Sequence, residues 1–328
     1  MPNVLVIGAS GALGRTVVAT TREFLPGAVV IGGSRTRSAS GVPWRFVDLD
    51  DPASVRSAVT GTDLVLVAAG HRTAAVQEAC LSARTHCVDV GMDPDLARAV
   101  ARMDGRARAV GVLSVTMAGL IPGLSGLLVR HAVGDGAPPS HVELRLRQSA
   151  NARGGPAGTA DMLRLVTSRA GRGPRRERAR RHPSEPSLRS MEHPEQAVLE
   201  RWFPGVPAQY WTGWDDARIT TGIALLERVG LLPRASSLVA RAHRHDPSRP
   251  EHVSLSATVR RDGGVRSVTA SAASDYGATA AVAVGLGALG LAGRTGAGVP
   301  GDLVTLDEVL ATPAGARVRV HEGLPTST

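Results

Sequence analysis

The sequence predicts an α/β fold: a doubly wound parallel sheet followed by a second α+β domain built on a largely antiparallel sheet. Three observations predict it. Short, unbroken apolar runs alternate with helical segments over the first 120 residues, as strands buried on both faces of a parallel sheet require. The first of these runs empties into a glycine turn that starts a helix. In the second half, apolar residues alternate singly and flank a hairpin signal, the pattern of half-buried antiparallel strands.

Residues 3–7 (NVLVI) form the first strand and run into Gly8-Ala9-Ser10-Gly11-Ala12-Leu13-Gly14, after which residues 15–23 continue as a helix. Strand, glycine turn and helix in this order make a dinucleotide site of Rossmann type. Gly8 allows the tight turn, Gly11 keeps a side chain away from a pyrophosphate, and Gly14 lets helix and strand pack closely. Ser10, Ala12 and Leu13 complete the phosphate-facing turn, where the helix N-terminus offers amides and partial positive charge.

The second strand (residues 28–32) ends in Gly33-Ser34-Arg35-Thr36-Arg37, where an NAD site usually carries a carboxylate for the ribose 2′-hydroxyl. Here Ser34, Arg35 and Arg37 suit a 2′-phosphate instead, so the expected cofactor is NADP(H). A third strand (45–47) leads to Asp48 and Leu49, the expected resting place of the adenine edge, and a helix follows at 52–59. The fourth strand, 63–69 (DLVLVAA), brings Ala69 and Gly70 to the crevice expected to hold the nicotinamide, with His71 beside them. Helix 73–83, strand 86–90, helix 94–101 and strand 109–117 complete the alternation.

In the second half, residues 141–149 (HVELRLRQS) set Val142, Leu144 and Leu146 on one face and Glu143, Arg145 and Arg147 on the other. Residues 253–260 and 266–273 flank Asp262-Gly263-Gly264, a hairpin turn. Helices are expected at 159–167, 219–229 and 277–291. The small-residue helix serves a dimer contact or a tight interdomain packing. Residues 201–216 (RWFPGVPAQYWTGWDD) gather three of the four Trp and read as a loop, either lining an apolar substrate pocket or covering a small core of its own.

Composition narrows the chemistry. With 43% hydrophobic and 20% charged residues the chain is globular. All 38 basic residues are Arg, which removes a Walker A lysine, a Schiff-base lysine and the Tyr-x-x-x-Lys pair of ordinary short-chain dehydrogenases. The net charge of +9 owes much to residues 169–181 (RAGRGPRRERARR), a solvated loop or a basic patch for an acidic partner. With only 3% aromatic residues, none among these arginines, nucleic acid is not an expected partner.

Cys80 and Cys87 suit neither a zinc knuckle nor a secreted disulfide framework, and the early apolar strand leaves no room for a signal peptide, so a cytoplasmic protein is expected. Residues 276–293 are uncharged but built of Ala and Gly, which favours a close-packed buried helix over a membrane span. His243, His245 and Asp246 lack a fourth ligand, and no metal is expected.

Several segments together resemble the saccharopine dehydrogenase-like NADP-dependent oxidoreductases: GASGALG, GGSRTR, residues 68–80, THCVDVG (85–91), AGLIPGLSGLLV (118–129), ASDYGATAAVAVGLGALGLAG (273–293) and GVPGDLVTLDEVLATPAGARVRV (298–320). The resemblance implies an NADP-binding domain over 1–122, a substrate and dimerisation domain over 123–296, and a closing segment, 297–328, packing back on the first domain. It also implies a homodimer and a small-molecule substrate. The chain departs from the family where members often carry Gly-Pro-aromatic and it has Gly70-His71-Arg72, and where they often carry Gly-Glu and it has Gly91-Met92. Both positions border the expected reaction site, so saccharopine itself is not the expected substrate.

Hydride transfer asks for a proton source near the reacting atom. His71 is the first candidate, Asp89 and Tyr210 the next, and Arg145, Arg147 and Arg153 are candidates for a substrate carboxylate. The expected activity is NADPH-dependent reduction of a C=N, C=O or activated C=C bond in a small metabolite, with specialised biosynthesis as the expected setting. The alternative is an NADP-binding sensor or scaffold that has lost turnover.

Overall fold

The computed structural model describes residues 1–37, 41–152, 158, 165, 181–228, 245–246, 248–262 and 264–323. The basic run at 169–180, Arg153 and His243 lie outside them. The chain forms two compact units, Met1–Arg130 with Tyr276–Val318, and His131–Asp275 with Arg319–Thr328.

The first unit is a seven-stranded sheet, parallel throughout, in the order β12-β6-β5-β4-β1-β2-β3. Its strands are β1 (Asn3–Ile7), β2 (Val29–Ser34), β3 (Trp44–Phe46), β4 (Leu64–Val67), β5 (His86–Asp89), β6 (Leu113–Val115) and β12 (Gly296–Gly298). Helices cover both faces, as the unbroken apolar strands demand. On one face α2 (Pro52–Val59) and α3 (Ala75–Ala83) bury Val55, Val59, Val76 and Cys80 against Leu5, Ile7, Val65 and Val67.

The opposite face receives the small-residue helix α9 (Asp275–Leu291). Gly287 sits where a Cβ would come within 2.7 Å of Leu64, and at Gly290 a Cβ would come within 3.1 Å of His86 and 3.3 Å of Leu113. Its glycines therefore serve close packing on this sheet, and the helix belongs to the first unit instead of the substrate domain. The closing segment also divides. Residues up to Val318 stay with the first unit, while β13 (Arg319–Glu322) pairs with the second sheet.

The second unit carries a six-stranded sheet in the order β13-β11-β10-β7-β9-β8. Here β7 is His141–Gln148, β8 Arg189–Met191, β9 Ala208–Trp214, β10 Val253–Arg261 and β11 Gly264–Ala272. The β10–β11 hairpin and its pairing with β7 are antiparallel, as the alternation and turn predict. The sheet is mixed because β7 and β9 run parallel; the long connection between them is the crossover that parallel neighbours need. The segment read as an aromatic loop is α7 (Gln196–Trp202) followed by β9. Of the Pro and Gly residues that suggested a loop, Pro204, Gly205 and Pro207 precede Ala208; Gly213 alone lies within β9, where Tyr210, Trp211 and Thr212 are strand formers.

Candidate functional site

The glycine turn has the geometry its spacing predicts. Gly8 takes φ +85°, its N–H donates to the Gly33 carbonyl at 2.8 Å, and a Cβ there would stand 2.7 Å from the Ala68 carbonyl oxygen. At Gly14 a Cβ would fall 2.0 Å from the Gly8 carbonyl oxygen. Both positions are closed by the protein itself. Gly11 differs: it is exposed, and a Cβ there would meet only the Gly8 carbonyl oxygen, at 3.3 Å. It is also the N-cap of α1 (Ala12–Phe24) and offers no side chain to the helix amides; the first turn holds no acid. Ser10 is exposed, and Ala12 and Leu13 are half-buried.

At the end of β2, Ser34 is largely spent. Its hydroxyl donates to the Thr36 carbonyl and accepts the Trp44 indole N–H at 3.2 Å. Arg35 and Arg37 are exposed and have no ion pair among the described residues. Asp48 shapes the next turn: its Oδ1 accepts the Asp50 N–H at 3.1 Å, and its own N–H donates to Ser54 Oγ at 3.0 Å. Leu49 and Ala69 pack, half-buried, against the core that holds Leu5 and Ile7. Gly70 is exposed, with open space where a side chain would begin.

Beyond Gly70 the chain turns inward. The His71 side chain is 5% exposed, with Nε2 2.8 Å from Asp89 Oδ2 and Nδ1 2.8 Å from the Thr73 carbonyl oxygen. Both partners are acceptors, so the ring satisfies them by carrying a proton on each nitrogen. Burial alone lowers its pKa. The hydrogen bond and charge of Asp89, the Thr73 carbonyl and the charge of Asp93 outweigh that and hold it above 6.5. Asp89 is wholly buried; it also accepts Gln77 Nε2 at 2.9 Å and the Gly91 N–H at 2.7 Å. A side chain from the loop after β4 and the last side chain of β5 thus meet at the carboxyl edge of two adjacent parallel strands.

These contacts tie the 70–73 loop to the end of β5. Gln77 and the Gly91 amide were missed. The signal for Gln77 was a polar residue beside Val76 on the buried stripe of α3.

Tyr210 lies on β9 in the second unit. It is 2% exposed, donates to Glu195 Oε2 at 3.2 Å and stacks on His193 with ring centroids 4.9 Å apart. Burial, then the charge and hydrogen bond of Glu195, push its pKa well above 10. It is a core residue of the second unit. Arg145 and Arg147 are likewise occupied: Arg145 Nε meets Glu143 Oε1 at 2.6 Å, Arg145 Nη1 meets Glu185 Oε1 at 2.8 Å, and Arg147 pairs with Glu185. Among the described residues no group of three or more His, Cys, Asp or Glu stands as a metal site, and no helix is long and apolar enough to cross a membrane.

No family model matches the chain, and no curated protein matches it. Solved structures do. Saccharopine dehydrogenase (L-Glu forming) from Saccharomyces cerevisiae superposes with TM-score 0.66 over 99% of this chain and 100% of its own, at 13% identity. Homospermidine synthase from Legionella pneumophila, solved in complex with NAD, gives 0.67 over 98% and 91%, at 12% identity. The chain therefore has a saccharopine dehydrogenase-like fold from end to end.

Proposed function

We propose that the protein is an NADP(H)-dependent oxidoreductase that reduces a C=N, C=O or activated C=C bond of a small metabolite. The observation that carries the reading is the contrast among the three glycines. A Cβ at Gly8 or Gly14 would run into backbone within 2.7 Å, whereas at exposed Gly11, the N-cap of α1, it would meet only the Gly8 carbonyl oxygen at 3.3 Å, and the missing side chain leaves the uncapped helix N-terminus accessible to a ligand. The first unit's β1–α1 turn fits a pyrophosphate, and the bound cofactor would supply or accept hydride.

In this reading the amides of Ala12 and Leu13 bind the pyrophosphate, and exposed Arg35, assisted by Arg37, forks onto the 2′-phosphate. Ser34 shapes the turn that presents them. Asp48 and Leu49 set the floor for the adenine edge, and Ala69 and Gly70 leave a bare surface for the nicotinamide. His71 and Asp89 act as positioning residues: their bond fixes the 70–73 loop beside that surface. We place the enzyme in the cytoplasm, as a homodimer.

A second reading, an NADP-binding sensor without turnover, is favoured by one observation. Of the three candidate acids, His71, Asp89 and Tyr210 are all buried and already bonded.

Calorimetric titration with NADPH and NADH tests both. NADPH is expected to bind; Gly11→Val should abolish binding while the circular dichroism spectrum and Tm stay as in the wild type. Arg35→Ala should weaken NADPH roughly tenfold to a hundredfold, the value of one charge-assisted contact, and leave NADH unchanged. Wild-type protein that binds neither nucleotide overturns the proposal. Stoichiometric NADPH binding without hydride loss to imines, ketones or enones selects the sensor.

A further inference from the structure

Aromatic residues make up only 3% of the chain, yet two of the three residues of β3 are aromatic. Trp44 is 36% and Phe46 51% exposed, and their rings meet edge-on with centroids 6.4 Å apart. β3 stands at the end of the sheet order, so both rings sit on an edge strand. Apolar surface left in water there adds little to a core. What Trp44 does supply is a hydrogen bond: its indole N–H donates to Ser34 Oγ at 3.2 Å.

Register explains the reach. Trp44 pairs with Gly32 and Phe46 with Ser34, so Trp44 and Ser34 are diagonal neighbours on one face of the sheet. Gly32, opposite Trp44, has no side chain to stand between them. Each link then has a single possible direction. An indole N–H can only donate and a carbonyl oxygen can only accept, whereas the hydroxyl has one proton and two lone pairs. The chain therefore runs from the Trp44 N–H to Ser34 Oγ, and from the Ser34 O–H to the Thr36 carbonyl. By accepting from Trp44, Ser34 keeps its only proton for Thr36, and two bonds polarised in one direction strengthen each other.

Thr36 lies between Arg35 and Arg37, and both arginines are exposed. Pinning the carbonyl between them fixes the backbone from which their side chains leave, and a cation on a fixed backbone loses less freedom when it grips an anion. Burial does not demand this bond, because an indole so exposed can donate to water. Its effect falls on the turn. We propose that Trp44 is a positioning residue that sets the preference for NADPH over NADH: it locks the Ser34–Thr36 bond and so holds Arg35 and Arg37 ready for the 2′-phosphate. The inference rests on the oxidoreductase reading and its placing of that phosphate. Trp44 acts through Ser34, without touching the cofactor.

The test measures NADPH and NADH affinities by calorimetry, with Tm alongside, for wild type, Trp44→Phe, Ser34→Ala, the double variant and Ser34→Thr. Trp44→Phe keeps an aromatic ring against Phe46 and deletes the N–H. It should lower the ratio of NADPH to NADH affinity about threefold to tenfold, the worth of one neutral hydrogen bond, with Tm as in wild type. Ser34→Ala breaks both links and should lower the ratio at least as far. Adding Trp44→Phe to Ser34→Ala should cost nothing more, because both act through one hydroxyl. Ser34→Thr keeps that hydroxyl and should hold the wild-type ratio. Trp44→Leu, which also lacks the N–H, takes the place of Trp44→Phe if that variant does not fold.

A ratio in Trp44→Phe within about twofold of wild type overturns the proposal, and so does an equal loss for both nucleotides, the mark of a merely structural role. Losses that multiply in the double variant overturn it as well, since the two residues would then act separately. Wild-type protein without a preference for NADPH removes the 2′-phosphate reading and this inference with it. A wild-type preference that Trp44→Phe leaves unmoved removes this inference alone.

Discussion

Two buried histidines, one in each unit, are held in opposite protonation states by what faces their second nitrogen. His71 has an acceptor on each side, the Asp89 carboxylate and the Thr73 carbonyl, and its pKa lies above 6.5. His193 is more deeply buried, and its Nδ1 accepts the Glu195 N–H at 3.3 Å while its Nε2 meets no partner. Burial there is unopposed, and the pKa falls to about 3. Burial alone does not decide whether an imidazole is charged. A carboxylate within hydrogen-bond reach reverses its effect, and only the histidine with such a partner lies beside the proposed cofactor surface.

The largest break in this comparison comes from Asp89→Ala. It strands three donors at once, His71 Nε2, Gln77 Nε2 and the Gly91 N–H, around the position of a wholly buried carboxylate. Removing one partner of a buried charged pair costs about 3–5 kcal/mol, and urea unfolding at neutral pH should show a loss of that order. A loss below about 1 kcal/mol would mean that the network does not hold the 70–73 loop. Asp89→Asn sharpens the point, since it keeps the shape and deletes the charge. The His71 pKa, followed by NMR, should drop below its wild-type value.

His193 supplies the next largest effect, on the acid side. Its folded pKa, about 3, lies below the 6.5 of the unfolded chain, so the unfolded state binds the extra proton first. The stability it contributes is complete above 6.5 and is lost on acidification. The slope is about 1.4 kcal/mol per pH unit, which amounts to about 2 kcal/mol by pH 5. In His193→Phe the ring still stacks on Tyr210 and nothing titrates, so the acid limb of stability against pH should flatten by that amount. Identical acid limbs in both proteins would remove His193 as the cause.

What the residues disclosed and what they concealed follows the range of the interactions. The β1–Gly8–Gly11–Gly14–α1 turn is local, each glycine answering to a backbone atom a few residues away or to an adjacent strand, and its spacing alone located it. The parallel strands were legible because burial on both faces leaves unbroken apolar runs such as LVLV in β4.

The His71–Asp89 bond spans 18 residues and exists because β4 and β5 are neighbours in the sheet; the types of the two residues do not announce it. Tyr210 resembled an active-site acid for the same reason: its partner Glu195 and its stacking on His193 depend on how α7 and β9 meet. The small-residue helix concealed its partner as well. Composition shows that something approaches Gly287 and Gly290 closely, and only the fold shows that it is Leu64 and His86. Strand β12, three residues of glycine and alanine, has no apolar run to find.

The smallest effect, and the one that isolates His71, lies on the alkaline side. Its folded pKa is raised above the unfolded 6.5, so here the native state binds the extra proton. This contribution is fully present below 6.5 and is lost as pH rises through the folded pKa, the reverse of His193. Wild-type stability should therefore decline above neutrality by more than that of His71→Gln, which has no proton to lose there. The same titration has a second readout in function: once His71 gives up its proton, either Asp89 or the Thr73 carbonyl faces a bare nitrogen, and the 70–73 loop loses one tie. If His71 positions that loop for the nicotinamide, NADPH affinity in wild type should fall over the same alkaline interval while that of His71→Gln stays flat. Parallel affinity curves for the two proteins, alongside diverging stability curves, would confine His71 to holding the fold.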